Sequence, residues 1–237
     1  SALTWYDKVP NESRHVRQAL FERAYAHFQN DDWEAALGSL QALQAPQVWA
    51  GFHPEGWILA ATIYTMACLY NEAIATIDLF ERRFKASEKI PAAQLAGDRI
   101  EKLAKLIARM DSELARLKQF GEGDAATAAL ALSEGLTAQR EEIATTLQTV
   151  TRRQMADATA NLASFRDQSD RIRFEISKAE KQHAESGFDR SAALLGQSLK
   201  RPQNFDAKTA SWPFEGEFWR DELGWYRYAL KHGCPAP

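Results

Sequence analysis

Asp31-Asp32-Trp33-Glu34-Ala35-Ala36-Leu37 is answered further along the chain by Cys68-Leu69-Tyr70-Asn71-Glu72-Ala73-Ile74. From Trp33 and from Tyr70 both copies run aromatic, polar, any residue, alanine, aliphatic. Ala36 and Ala73 stand 37 residues apart. A period of that size marks stacked supersecondary units, each of which buries its apolar face against its neighbour. Pro46, Gly51 and Pro54 fall between the copies, where helix breakers belong.

Working outward, the second copy is preceded by Trp57, Ala61 and Tyr64 and followed by Phe80. The first is preceded by Leu20, Ala24 and His27. On these residues, the stretch from about 16 to 84 resembles tetratricopeptide repeat (TPR) proteins. The likeness is fuller in the second copy, because His27 takes the tyrosine position in the first. It implies two helix pairs per head, each pair antiparallel. Small residues at Ala24, Ala36, Ala61 and Ala73 would let helices approach, and Trp33, Trp57 and Tyr70 would fill the gaps. Two repeats cannot cover their own outer faces, so caps are expected.

The resemblance also places a binding groove. The first helix of each repeat would line it with Gln18, Phe21, Tyr25, Phe28 and Gln29, then with Glu55, Ile58, Thr62, Thr65 and Met66. Such a groove takes an extended segment or a helix by apolar anchors. The alternative occupant is the chain's own N-terminal segment, long helix or tail. These positions carry no Lys or Arg, so the basic clamp of chaperone-binding relatives is missing.

Beyond the head, aromatics thin out. Of 25 in all, 13 lie in residues 1–91, three in 92–186 and nine in 187–237. These cuts define a helical head, a long helical hairpin and an aromatic tail. Ile100, Leu103, Ile107, Met110, Leu114 and Leu117 alternate by three and four, a heptad seam. Asp98 to Lys102 and Glu101 to Lys105 are i,i+4 pairs. The helix should stop at Gly121-Glu122-Gly123, with Asp124 capping a second helix over about 125–185. Its stripe is Leu132, Leu136, Ile143, Leu147, Val150, Leu162, Phe165, Ile172 and Ile176, weakened at Gln154, Asp157 and Asn161. At 1.5 Å per residue the two helices span roughly 40 and 90 Å. The longer one must therefore find other cover beyond about Asp157: the head, the tail or a second chain.

The tail should begin with a short helix over about 189–200, carrying Leu194, Leu195 and Leu199, then a loop at Arg201-Pro202-Gln203-Asn204. Trp212 to Tyr228 holds seven aromatics in 17 residues. Burying one is worth about 2–3 kcal/mol, so Trp212, Trp219 and Trp225 are expected to dock. Trp219, Leu223 and Tyr226 would share a helical face. The run Trp212-Pro213-Phe214-Glu215-Gly216-Glu217-Phe218-Trp219-Arg220-Asp221-Glu222-Leu223-Gly224-Trp225-Tyr226-Arg227 resembles the C-terminal signature of envelope TPR proteins of myxobacteria and related predatory bacteria, including gliding-motility components. That implies a periplasmic or envelope-associated scaffold whose leader has been removed.

Chemistry is sparse. The net charge of −3 argues against a general nucleic-acid binder. No apolar run approaches a membrane span. Phosphate-loop, dinucleotide, zincin, nucleophile-elbow and EF-hand patterns are missing. His15, His27, His53, His183 and His232 have no ligand spacing, and Glu215, Glu217, Asp221 and Glu222 read as helix caps and arginine partners rather than a catalytic pair. Cys68 and Cys234 read as two free thiols; the alternative is a bridge from tail to body, which needs an oxidising compartment. The expectation is an all-α, non-enzymatic scaffold without cofactor or metal, serving protein partners. The competing expectation is a coiled-coil oligomer formed through the long helix.

Overall fold

The structure is a computed structural model that describes residues 2–13, 15–46, 48, 53–85, 98–119, 123–195, 197–198 and 212–235. Every regular element among them is helical: α1 Leu3–Tyr6, α2 Val16–Gln29, α3 Trp33–Ala42, α4 Pro54–Met66, α5 Tyr70–Lys85, α6 Asp98–Leu117, α7 Asp124–Ser186 and α8 Arg190–Leu195, with one 3₁₀ turn at Arg220–Glu222. The chain divides into two compact units, Ser1–Ala86 with Leu162–Pro237, and Ser87–Asn161.

In the first unit, α2 packs on α3, α4 on α5, and α3 on α4. Their ends are set by local chemistry. Asp32 caps α3, its carboxylate accepting from the Ala35 amide at 3.2 Å, and Pro54 opens α4, where a missing N–H costs nothing. Helices α2 and α4 finish the same way. After α2, the amide of Asp32 bonds the His27 carbonyl and that of Asp31 the Phe28 carbonyl. After α4, the amide of Leu69 bonds the Tyr64 carbonyl and that of Cys68 the Thr65 carbonyl. Both are Schellman ends with the pivot residue in the left-handed region, Asp31 at φ 57° and Cys68 at φ 56°. The 37-residue period of the sequence is thus repeated in the backbone. Ala24, Ala36, Ala61 and Ala73 are all fully buried, where only a methyl fits between helices.

The core has three clusters. Val16, Leu20, Leu37, Leu40, Leu59 and Ile63 build the first, with Leu223 of the tail inserted among them. Ile58, Phe80, Phe84 and Leu162 form the second, and Cys68, Tyr70, Ala73 and Ile176 the third. The last two show where α7 finds cover beyond Asp157. Its residues 162–186 lie on α4 and α5, with Phe165 and Ile172 packed alongside. Arg173 of α7 bridges Asp78 at 2.6 Å and Glu81 at 3.1 Å, and Arg166 donates to the Phe84 carbonyl.

In the second unit, every position of the α6 seam is buried or half-buried. Glu101 pairs with Lys105, and Asp111 of α6 with Arg140 of α7. The α7 stripe differs from expectation at Leu132, which is 63% exposed. The inward face there runs through Ala129, Ser133 and Leu136, one residue out of phase with Leu132. Gly121 and Glu122, like Leu199 and the loop Arg201–Asn204, lie outside the described residues.

Candidate functional site

The groove residues read from the repeat are all on α2 and α4, and the structure treats them unequally. Gln18, Tyr25, Gln29 and Met66 are exposed. Phe21 and Phe28 are half-buried against the first core cluster, and the rings of Tyr25 and Phe28 lie 6.2 Å apart. Thr62 and Thr65 donate their hydroxyls to the carbonyls one turn back, Ile58 and Ala61, and Glu55 faces His53 at 3.2 Å. Ile58 is buried with Phe80, Phe84 and Leu162. The long helix therefore covers this one position, as one of the three occupants the chain could supply: N-terminal segment, long helix or tail.

The tail docks beside α2, α3 and the end of α4, through Arg23, Glu34 and Ala67, and its mode of docking departs from the sequence reading. Trp212, Trp219 and Trp225 are 61%, 58% and 71% exposed, where burial was expected. Trp219, Leu223 and Tyr226 share no helix, because only Arg220–Glu222 is helical, Leu223–Trp225 is a turn and residues 226–235 are irregular. The reason is local. Gly216 and Gly224 hold positive φ and break the helical period. Helix α8 is likewise shorter than expected, six residues with Leu195 exposed.

What docks instead is a sequence of smaller contacts. Leu223 enters the core and Gly224, at φ +92°, crosses the guanidinium of Arg23. The Tyr228 amide donates to the Glu34 carbonyl at 3.0 Å. Arg227 meets Asp32 at 3.3 Å, and Asp32 meets His27 at 3.3 Å. The rings of Tyr228 and Tyr64 lie 5.9 Å apart, those of His232 and Trp33 5.6 Å, and the Gly233 amide donates to the Ala67 carbonyl at 2.8 Å. His27 and Tyr64, 37 residues apart in the sequence, receive consecutive tail residues, Arg227 through Asp32 and Tyr228 directly. Burial pushes the His27 pKa down, against the pull of Asp32 and with the help of Arg23 and Arg227. Burial and the bond to Tyr228 raise that of Tyr64, and burial with Glu222 alongside pushes Tyr226 up to about 12.

Finally, Cys68 and Cys234 are bridged, which replaces the expectation of two free thiols. Sequence separation gave no sign of this pairing. Contact does: the left-handed turn at Cys68 presents its side chain where Gly233 already bonds Ala67. A cleft of about 210 Å³ remains beside the tail, lined by Tyr6, Asp7, Asn11, Leu20, Arg23 and Trp225 among others. Arg23 pairs with Asp7 at 3.1 Å there. Among the described residues, no cluster of three or more His, Cys, Asp or Glu has metal-holding geometry, and no helix is long and apolar enough to cross a membrane. Compared with known proteins, the chain matches no family model, no curated sequence and no solved structure.

Proposed function

We propose that this chain is a TPR-type scaffold that holds a protein partner within a larger assembly. The observation that carries the reading is the 37-residue recurrence, now seen in two Schellman ends, in two pairs of buried alanines, and in the paired roles of His27 and Tyr64. On this reading α2–α3 and α4–α5 are the two antiparallel repeats, and α7 and the tail are the caps that two repeats require. Gln18, Tyr25, Gln29 and Met66 are the groove positions left at the surface. The disulfide supports an oxidising compartment, in keeping with an envelope or periplasmic location and, by the tail's resemblance, with motility machinery. The test is affinity capture from native cells with wild-type and Tyr25→Glu/Met66→Glu chains. One stable protein recovered by the first and lost by the second is the expected result; no stable partner in either would sink the reading.

A second reading keeps α6 antiparallel to the first part of α7, supported by the Asp111–Arg140 pair, and joins two chains through that region. Exposed Leu106, Leu130 and Leu132 favour it. Light scattering that gives a clean monomer at high concentration would remove it.

A further inference from the structure

Past Leu223 the tail no longer enters the core. Among residues 226–235 only Gly233 is buried, and Arg227, Tyr228 and His232 are exposed. The segment nonetheless keeps a fixed path across α3 and the end of α4. Tyr226 lays its carbonyl against Gly38. The amides of Tyr228, Leu230 and His232, every second residue as in an extended chain, donate to the Glu34 carbonyl at 3.0 Å, the Glu34 carboxylate at 3.4 Å and the Gln197 side-chain oxygen at 2.9 Å. Gly233 fills a slot between the Cys68 carbonyl and the Arg190 side chain. Beneath the path lie Trp33, its ring against His232, and Tyr64, its ring against Tyr228.

Burial does not hold this path. Both side chains of the Arg227–Asp32 pair are partly exposed, and such pairs are weak in water. Hydrogen bonds made at the surface exchange for bonds to water at little net loss. The covered state also leaves two donors unsatisfied at its margin. Trp33 Nε1, beside the His232 ring, and Arg190 Nη1, whose stem lies beside Gly233, are buried without a hydrogen-bond partner. Opening to water removes that penalty. The covalent hold is the Cys68–Cys234 bond, which fastens the far end of the segment. The core has support of its own: Ile58, Phe80, Phe84 and Leu162 come from α4, α5 and α7 alone, while Tyr226 and Leu230 only flank the first cluster.

We propose that residues 226–234 are a redox-latched strap, which covers Trp33, Gly38 and Tyr64 while Cys68 and Cys234 are bridged and leaves when a dithiol reduces the bridge, the helical head staying folded. A thiolate of the dithiol attacks one sulfur and expels the other cysteine as a thiolate. The second thiol of the reductant then closes on the first, so the reductant ends as its own disulfide and both cysteines end as thiols. Such a switch needs only a local bond and a segment that it biases. It goes beyond the scaffold reading and does not rest on the α2/α4 groove.

The experiment follows amide hydrogen exchange in the full-length chain, oxidised, reduced by dithiothreitol under native conditions, and re-oxidised with glutathione disulfide, with thiols counted by alkylation and mass. Reduction should speed exchange across residues 226–235 by at least about tenfold, as loss of local protection does, and leave α4 and α5 protected. Re-oxidation should restore the slow exchange and the intramolecular bridge. Cys234→Ser should show the fast exchange without reductant and no further response to it. Free thiols in the oxidised chain, a bridge that yields to dithiothreitol only after denaturation, or a reduced strap that stays protected would overturn the proposal. So would loss of protection throughout α2–α5, which would make the bridge a staple of the whole fold, or failure to close again on re-oxidation.

Discussion

The carbonyl oxygen of Tyr226 sits against Gly38 so closely that a Cβ on Gly38 would lie 1.8 Å from it. Gly38 is in the middle of α3, where glycine is ordinarily a weakness of about 0.5–1 kcal/mol relative to alanine. Here it is the notch across which the tail passes. Gly38→Ala should therefore have the opposite sign from a routine helix substitution. Urea unfolding should show a loss of stability, and dithiothreitol should reduce the Cys68–Cys234 bridge faster than in wild type, because the tail between Tyr226 and Gly233 no longer seats. Stability equal to or above wild type would mean that the tail is held elsewhere.

The bridge spans 166 residues. Chain-entropy reasoning puts the effect of closing so long a loop at about 5 kcal/mol, with about 2–5 kcal/mol the usual measured range. Cys234→Ser should lower the unfolding free energy within that range. Since Gly233, His232 and Tyr228 rely on the same docking, acrylamide quenching of tryptophan should also rise. An unchanged denaturation midpoint would show that the tail's other contacts suffice.

Asp31 and Cys68 end equivalent helices in the same left-handed turn, and α7 ends likewise at Gly187, φ 69°. A non-glycine residue in that region costs about 1–2 kcal/mol, and glycine returns part of this through the freedom of its unfolded state. Asp31→Gly should thus raise stability by about 0.5 kcal/mol, read as a small upward shift of the melting temperature. A decrease would reveal a contact of the Asp31 side chain that outweighs the strain.

The all-helical fold was legible because its signals are local. The alanine and aromatic spacing located α2 to α5, and the heptad seam located α6. The lack of proline let α7 run unbroken from Asp124 to Ser186. What failed to read through was the tail. Counting tryptophans predicts that they are buried, but burial followed backbone fit: Leu223 and the glycines at 224 and 233 enter, and the indoles stay out. The bridge stood only as the alternative to free thiols, because Cys68 and Cys234 meet only once α4 and the tail are both in place. Of the groove positions, Ile58 has the same apolar character as its neighbours, and only the path of α7 shows that it belongs to the core.

His27 supplies a pH dependence whose sign follows from its surroundings. Burial lowers its pKa below the ordinary histidine value of 6.5, and Arg23 and Arg227 add to this, while Asp32 opposes it. In the unfolded chain the imidazole takes up a proton as pH falls through about 6.5; in the folded chain it resists until lower pH. The unfolded state then binds more protons, so stability falls with pH across that window and levels off below the folded value. The favourable state is the neutral ring, fully present above pH 6.5. Melting curves from pH 7.5 to 5.0 should decline, and His27→Gln should flatten the slope in that interval while leaving the disulfide intact. A wild-type slope unchanged by His27→Gln would show that His27 is not its source. A slope of opposite sign would mean that the pair with Asp32 outweighs burial, and that the link from His27 through Asp32 to Arg227 fastens the tail more tightly when the ring is charged.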